Sequence, residues 1–276
     1  MRILLYTDGR PAAEQAASMV SLLNYPSQAD VTLLTVAEGE NDIPRLSTAL
    51  DRLEQILGDK VPTMTRVIRR GHPAEQMLAE IAKQSPYLVA IGAEEHHRGL
   101  LHLRSDSLTH KLAHQIKSPL LIASAAPENL KKILFCTSAE PTALETLRSG
   151  GHLIANVAAE IGLLHVMSQV ALRPDSLPDD LLDTAETAIQ RGTREGLHLQ
   201  HGAQTLQSAG VKGEMRYCLR HGLVVDQVLK EIAESKYQLL VIGAHFRPCF
   251  NRWMGILLDD VTNQLLAQSL CSVLVV

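Results

Sequence analysis

The sequence predicts two tandem doubly wound α/β domains, each a parallel five-stranded sheet with helices on both faces. Three observations predict this class: an internal repeat, short apolar runs alternating with helical periodicity, and a composition suited to aliphatic packing. Of the 276 residues 46% are hydrophobic but only 3% aromatic, so helices rich in Leu, Ala, Val and Ile pack on a buried sheet.

The repeat carries most weight, because a missed repeat misreads the whole fold. The segment from Gly71 to Ala93 slides by 151 positions onto Gly222 to Ala244, and ten of 23 positions are identical. These are Gly71, Gln76, Leu78, Glu80, Ile81, Ala82, Leu88, Ile91, Gly92 and Ala93. Nearer the start the offset is 130: Arg2–Thr7 matches Lys132–Thr137, and Leu33–Val36 matches Leu163–Val166. The growth of 21 in the offset places extra residues between the second and third strands of the second copy, around Ser168 to Gly213. A short linker near Ala125–Asn129 joins the copies, giving domains at 1–126 and 127–276.

Within the first copy the strands are the apolar runs Ile3–Tyr6, Val31–Val36, Thr65–Ile68, Leu88–Ile91 and Leu120–Ala123. Runs without strict alternation suit strands buried on both faces of a parallel sheet. Helical spacing marks Ala12–Leu23, Arg45–Leu57, Ala74–Gln84 and Leu108–Ile116. Strands and helices that alternate at these lengths imply right-handed crossovers. Ligands of such sheets sit at the carboxyl ends of the strands, where the strand order switches. That places Thr7-Asp8, Val36-Ala37 and the Gly92 turn on one rim. In the second copy a long helix is expected from Asp179 to Ala209, interrupted by Gly192, Gly196 and Gly202, as a packing or dimer surface.

Several function classes are disfavoured. A net charge of −4 offers no broad basic surface for nucleic acid or acidic lipid, and no run approaches 18 apolar residues. Cys136, Cys218, Cys249 and Cys271 are scattered, as expected of free thiols in a reducing cytoplasm. No G-x-S-x-G elbow, Walker loop, H-E-x-x-H or C-x-x-C occurs. His96, His97, His102, His110 and His114 cluster in the first copy, the last two at a spacing that can grip a metal, but no metal site is expected.

The first strand ends in Thr7-Asp8, Gly71-His72-Pro73 precedes the third helix, and the fourth strand reads Val89-Ala90-Ile91-Gly92. The second copy has Val241-Ile242-Gly243-Ala244, and Ser118-Pro119-Leu120 opens a closing strand. In this order and repetition the chain resembles the universal stress protein family in its tandem form, across essentially its whole length. The resemblance implies an adenine nucleotide alpha hydrolase-like, Rossmann-like fold, a stress-response role and a cytoplasmic location. It implies an ATP or AMP site in the first domain built on Thr7, Asp8, Val36, Gly92, Asp106, Ser107 and Leu108. Pairing of the last strands, Leu120–Ala123 against Val273–Val276, would make the two copies a pseudo-dimer, and homodimers are a further expectation.

Nucleotide-binding members carry G-x-x-G, nine residues, then G-[ST] at the start of the last helix, where backbone N–H groups and the helix dipole cradle phosphate. This chain departs from that loop. Glu95 stands at the second glycine, and Asp106-Ser107 stands where G-[ST] should. The second copy has Phe246 at the second glycine, Asp259-Asp260 at the helix start and Ser138 in place of the aspartate. An aspartate at a helix start takes up the free N–H groups and repels an anion about 4 Å away by roughly 1 to 4 kcal/mol. Arg98 and Arg104 in the first copy, and Arg247 and Arg252 in the second, are the nearby cations that could offset this. The aromatic loop Phe246–Met254 is expected to plug the second pocket. The reading is therefore a regulatory or scaffold protein with degenerate nucleotide sites, with ATP or AMP binding in the first-domain pocket as the alternative.

Overall fold

The computed structural model describes residues 1–23, 29–93, 108–138, 142–155, 157–167, 184–244, 246–247, 257–258 and 260–276. By contacts the chain forms two compact units. Unit 1 is Met1–Asn129 with Ala244–Val276, and unit 2 is Leu130–Gly243.

Unit 1 begins with β1 (Arg2–Thr7), α1 (Ala12–Leu22), β2 (Asp30–Ala37), α2 (Ile43–Leu57) and β3 (Thr63–Arg70). It continues through α3 (Pro73–Gln84), β4 (Leu88–Gly92), α4 (Leu108–Gln115) and β5 (Leu120–Ala123). The strand order is β3-β2-β1-β4-β5, all parallel, so the chain winds outward from β1 in one direction and then in the other. The expected elements form within a residue or two of their predicted limits.

Local chemistry explains the boundaries. Leu46, Ala49, Leu50, Leu53 and Leu57 recur on one face of α2, where each fully buried leucine contributes about 1.5–3 kcal/mol. Pro44 lies in the first turn of that helix, where its missing N–H is harmless. Pro73 opens α3, which ends at Ser85 in the left-handed region. Ile3, Leu4 and Leu5 of β1 and Val89 and Ala90 of β4 are fully or almost fully buried, as a central pair of strands requires. One expectation is corrected at β3. Its residues are exposed or half-buried throughout, because it pairs only with β2 and forms the sheet edge.

Unit 2 contains β6 (Lys132–Thr137), α5 (Ala143–Leu153), β7 (Glu160–Met167), α6 (Ala185–Arg191), α7 (Arg194–Ser208), β8 (Met215–His221), α8 (Val224–Ser235) and β9 (Leu239–Ile242). Its strands lie parallel in the order β9-β6-β7-β8. Helix α7 sits 151 residues after α2 at both ends, so the extra residues of the second copy fall before it and include α6. The single long insertion helix is corrected to two. Only Gly192 interrupts, at φ +64°, and Thr193 then caps α7 by accepting the Gly196 N–H at 3.2 Å. Gly196 and Gly202 lie inside α7 at close approaches, Gly202 against Leu147 and Leu163. Residues 179–183 of the expected helix lie outside the described residues.

The chain returns to unit 1 for β10 (Phe246–Arg247), β11 (Leu257–Leu258), α9 (Asp260–Gln268) and β12 (Ser272–Val275). β10 and β11 form a two-residue antiparallel ladder. The last strand runs antiparallel to β5, with Val273 opposite Ile122, Leu274 opposite Leu121 and Val275 opposite Leu120, so the expected strand pairing forms. The Ser272 hydroxyl donates to the Ala125 carbonyl at 2.9 Å. An ion pair between a partly exposed arginine and a buried glutamate recurs with the repeat. Arg69 Nε meets the Glu80 carboxylate at 3.0 Å on β3 and α3, and Arg220 Nε meets Glu231 at 2.7 Å on β8 and α8.

Candidate functional site

In unit 1 the strand order reverses beside β1, because β2 lies on one side and β4 on the other. At the carboxyl ends of these strands is a cavity of about 660 Å³. Ala12, Ala13, Val36, Ile91, Ala93 and Leu108 give it apolar walls. Asp8, Glu38, Asp42, Arg10 and Arg45 supply charge. The volume lies within the roughly 300–1,000 Å³ typical of small-molecule sites.

The turn after β1 builds one side. Thr7 is buried: its hydroxyl oxygen accepts the Gly9 N–H at 3.0 Å, and its carbonyl accepts the Thr35 hydroxyl at 2.8 Å. It therefore shapes the turn and does not line the cavity. Asp8 does line it, with its carboxylate folded back to accept the Arg10 N–H at 2.9 Å and its other oxygen 3.4 Å from Arg10 Nε. Arg45, from the first turn of α2, donates to the Asp8 carbonyl at 2.9 Å and lies 3.8 Å from Asp42. Exposed pairs of this kind contribute little to stability, which leaves both guanidiniums available to a ligand.

Gly92 is placed at the cavity by β4, but packing also fixes its identity. A Cβ there would lie 2.2 Å from the Ala12 carbonyl carbon and oxygen. The strand end thus rests directly on the start of α1. Val36 and Leu108 line the cavity as expected. Asp106 and Ser107 lie outside the described residues, as do Glu95, Arg98, Arg104 and Arg252. So do the expected plug residues 248–254, while Arg247 is described in its backbone alone. Sequence reasoning missed Tyr6, Glu38, Asp42, Arg10 and Arg45. Tyr6 read as one more apolar strand residue, and Arg45 meets Asp8 across 37 residues.

Unit 2 treats the corresponding strand ends differently. His165 stands where Thr35 does, and its Nδ1 donates to the Thr137 carbonyl at 3.0 Å. His198 of α7 reaches the Thr137 hydroxyl at 2.8 Å, and the two imidazoles meet edge to face at 5.7 Å. Burial, then His165, His201 and Arg194, hold His198 below the usual histidine range, with Glu195 opposing. The counterpart of Arg45 is Gly196, where a Cβ would strike the Ala188 backbone of α6 at 2.3 Å. Asp8, Tyr6 and Arg45 are therefore replaced by Ser138, Cys136 and a packing glycine. His110 and His114 pack with ring centroids 4.1 Å apart. Among the described residues no group of three or more His, Cys, Asp or Glu could hold a metal, and no helix is long and apolar enough to cross a membrane.

A profile of the Universal stress protein family matches residues 129–276, more than half of the chain. The chain belongs to the universal stress protein family. Solved structures agree with that fold over the whole length. A universal stress protein from Archaeoglobus fulgidus is 14% identical with a TM-score of 0.64, covering 99% of this chain and 95% of that one. A putative universal stress protein from Pseudomonas aeruginosa UCBPP-PA14 is 17% identical with a TM-score of 0.67, covering 100% and 92%. A functionally unknown protein from Pseudomonas aeruginosa PAO1 is 16% identical at 0.64, covering 100% and 92%. No curated protein sequence matches the chain. At these identities the neighbours establish fold, and a universal stress protein must be read for ligand from its own site.

Proposed function

We propose that this universal stress protein is a regulatory binding protein whose first-half pocket holds an adenine nucleotide, ATP or AMP. The second half acts as a scaffold. Its domains are residues 1–126 and 127–276. The observation that carries this reading is the cavity of about 660 Å³ at the switch point between β1 and β4.

The walls suit a flat base, and the rim offers chemistry for a sugar phosphate. Ala12, Val36, Ile91 and Leu108 give apolar faces, and Asp8 and Glu38 give acceptors for ribose hydroxyls. Arg10 and Arg45 can each present two parallel N–H groups to a phosphate. They supply from the side of α1 and α2 the positive charge that a glycine loop and helix start supply elsewhere in the family. Thr7, Gly92 and Leu108 hold the frame, with Ser107 expected near phosphate, whereas Asp106 at the helix start opposes it. In unit 2 the loss of Asp8, Tyr6 and Arg45, with His198 drawn onto Thr137, argues against a second nucleotide.

The test is chromatography and mass spectrometry of what the freshly purified protein releases on heating, followed by calorimetry with AMP and ATP-Mg²⁺. One adenylate per chain, or micromolar binding that Asp8→Ala weakens at least tenfold, is the expected result. No heat with either nucleotide at millimolar concentration would overturn the reading.

A further inference from the structure

We propose that the Tyr6 hydroxyl donates a hydrogen bond to the bound ligand and sets which ligand the first-half pocket accepts. This inference rests on the nucleotide reading above and names a specificity residue within it.

Tyr6 is the last residue but one of β1, and it follows three aliphatic residues packed in the sheet. It is 6% exposed, yet it lines the cavity. Its hydroxyl makes no hydrogen bond to any described residue. Facing a cavity wide enough for water, the hydroxyl is hydrated when the site is empty, and a ligand that displaces that water must replace its hydrogen bond or lose affinity. Among the described residues its polar end is thus turned to a cavity open to small molecules.

The surroundings say what it would answer to. Burial pushes the phenol well above its ordinary ionisation range; Asp8 and Glu38 add to this, while Arg10 and Arg45 oppose it. The four named charges all belong to the cavity rim, so the phenol sits among them. A phenol that stays protonated is a donor, whereas the carboxylates of Asp8 and Glu38 only accept. A ligand that satisfies this rim presents donors to the two acids and an acceptor to Tyr6. A purine nucleoside or its phosphate has that mixture on its base edge and ribose. The second copy carries Cys136 at the matching register, opposite Leu164 as Tyr6 is opposite Leu34. A thiol is a weak donor, so the halves differ at the one position that reads the acceptor.

Tyr6→Phe keeps the ring and removes only the hydroxyl. Calorimetry with AMP and with adenosine on the intact chain and the variant, beside their melting temperatures, tests the assignment. The expected result is a dissociation constant raised about ten- to a hundredfold, with melting unchanged or higher. A melting temperature lowered by several degrees would show a structural hydroxyl and overturn the inference. AMP affinity within about twofold of the parent would also overturn it, leaving the nucleotide reading intact. If the parent chain takes up neither AMP nor adenosine, the nucleotide reading falls first and takes this inference with it.

Discussion

Replacing Gly92 with alanine tests how tightly the strand end rests on α1. The new methyl would sit 2.2 Å from the carbonyl carbon and oxygen of Ala12 and 2.7 Å from its Cβ. The first two neighbours are backbone at the first residue of α1, so no rotamer change relieves them. The helix start would have to retreat by about 1 Å, and overpacking on this scale costs about 1–3 kcal/mol, here the upper half of that range. The matching Gly243→Ala in unit 2 meets the Thr146 hydroxyl at 2.8 Å and its methyl at 3.3 Å, both on a side chain that can turn. Its cost should stay below about 1 kcal/mol. At about 2–4 °C per kcal/mol, Gly92→Ala should melt about 4–12 °C below the parent and Gly243→Ala less than about 4 °C below it. Thermal melts followed by far-ultraviolet circular dichroism give both numbers. Ala12→Gly in the Gly92→Ala background should not rescue it, because the backbone contact remains. Equal losses for the two glycines, or a full rescue, would refute the reasoning.

Three further outcomes follow from the charged and polar groups. Burial penalises the Glu80 charge, but hydrogen bonds from Arg69 and Gln84 outweigh it and hold the carboxyl below its ordinary range. Its contribution is thus present above about pH 4.5 and is lost as pH falls through the folded value. Because Arg69 is partly exposed and can rehydrate, Glu80→Gln should cost about 1–2 kcal/mol at pH 7 in a urea melt, and much less at pH 3. The ionisation of His198 is also depressed, here because its charged form is disfavoured, and stability again falls with pH. The unfolded chain binds its proton first, so stability should fall as pH drops below about 6.5, by at most about 1.4 kcal/mol per pH unit. His198→Gln should flatten the melting temperature between pH 7.5 and 5.5. Burial, then the nearby Glu231 carboxylate, push the Cys218 thiol up to about 11. Iodoacetamide at pH 8 should therefore label Cys218 only in urea, as read by peptide mass spectrometry.

Much of the frame is legible in the sequence. Pro73 at the head of α3 and the leucine spacing of α2 mark helix limits that the chain obeys, because capping and burial of one face are local effects. The repeat carried that reading into the second copy. What escaped was what depends on neighbours. β3 contains apolar residues, yet its place at the edge exposes them, and the one edge signal within Thr63–Arg70, the arginines Arg66, Arg69 and Arg70, went unread. Of three glycines in one predicted helix only Gly192 breaks it, since Gly196 and Gly202 answer to helices and strands packed from elsewhere. Asp8, Val36, Gly92 and Leu108, chosen from motif position, line the cavity. Arg45 and Tyr6 were missed. One arrives across 37 residues, and the other hides as an aromatic in a strand until its hydroxyl is seen beside four charges.

The pairing of β12 with β5 also sets an order in time. The bond from Ser272 to Ala125 spans 147 residues, and a ribosome adding about 5–20 residues per second needs roughly 7–30 s to make them. Throughout that interval the Leu120–Ala123 edge has no antiparallel mate, while every strand of unit 2 is already synthesised by Gly243. The unit begun first is thus closed last, and a nascent chain presents a greasy ribbon to the crowded medium for about half of its own synthesis. Ribosomes that pause between those two positions lengthen the exposure, so the yield of folded protein should follow translation speed over the second half of the message.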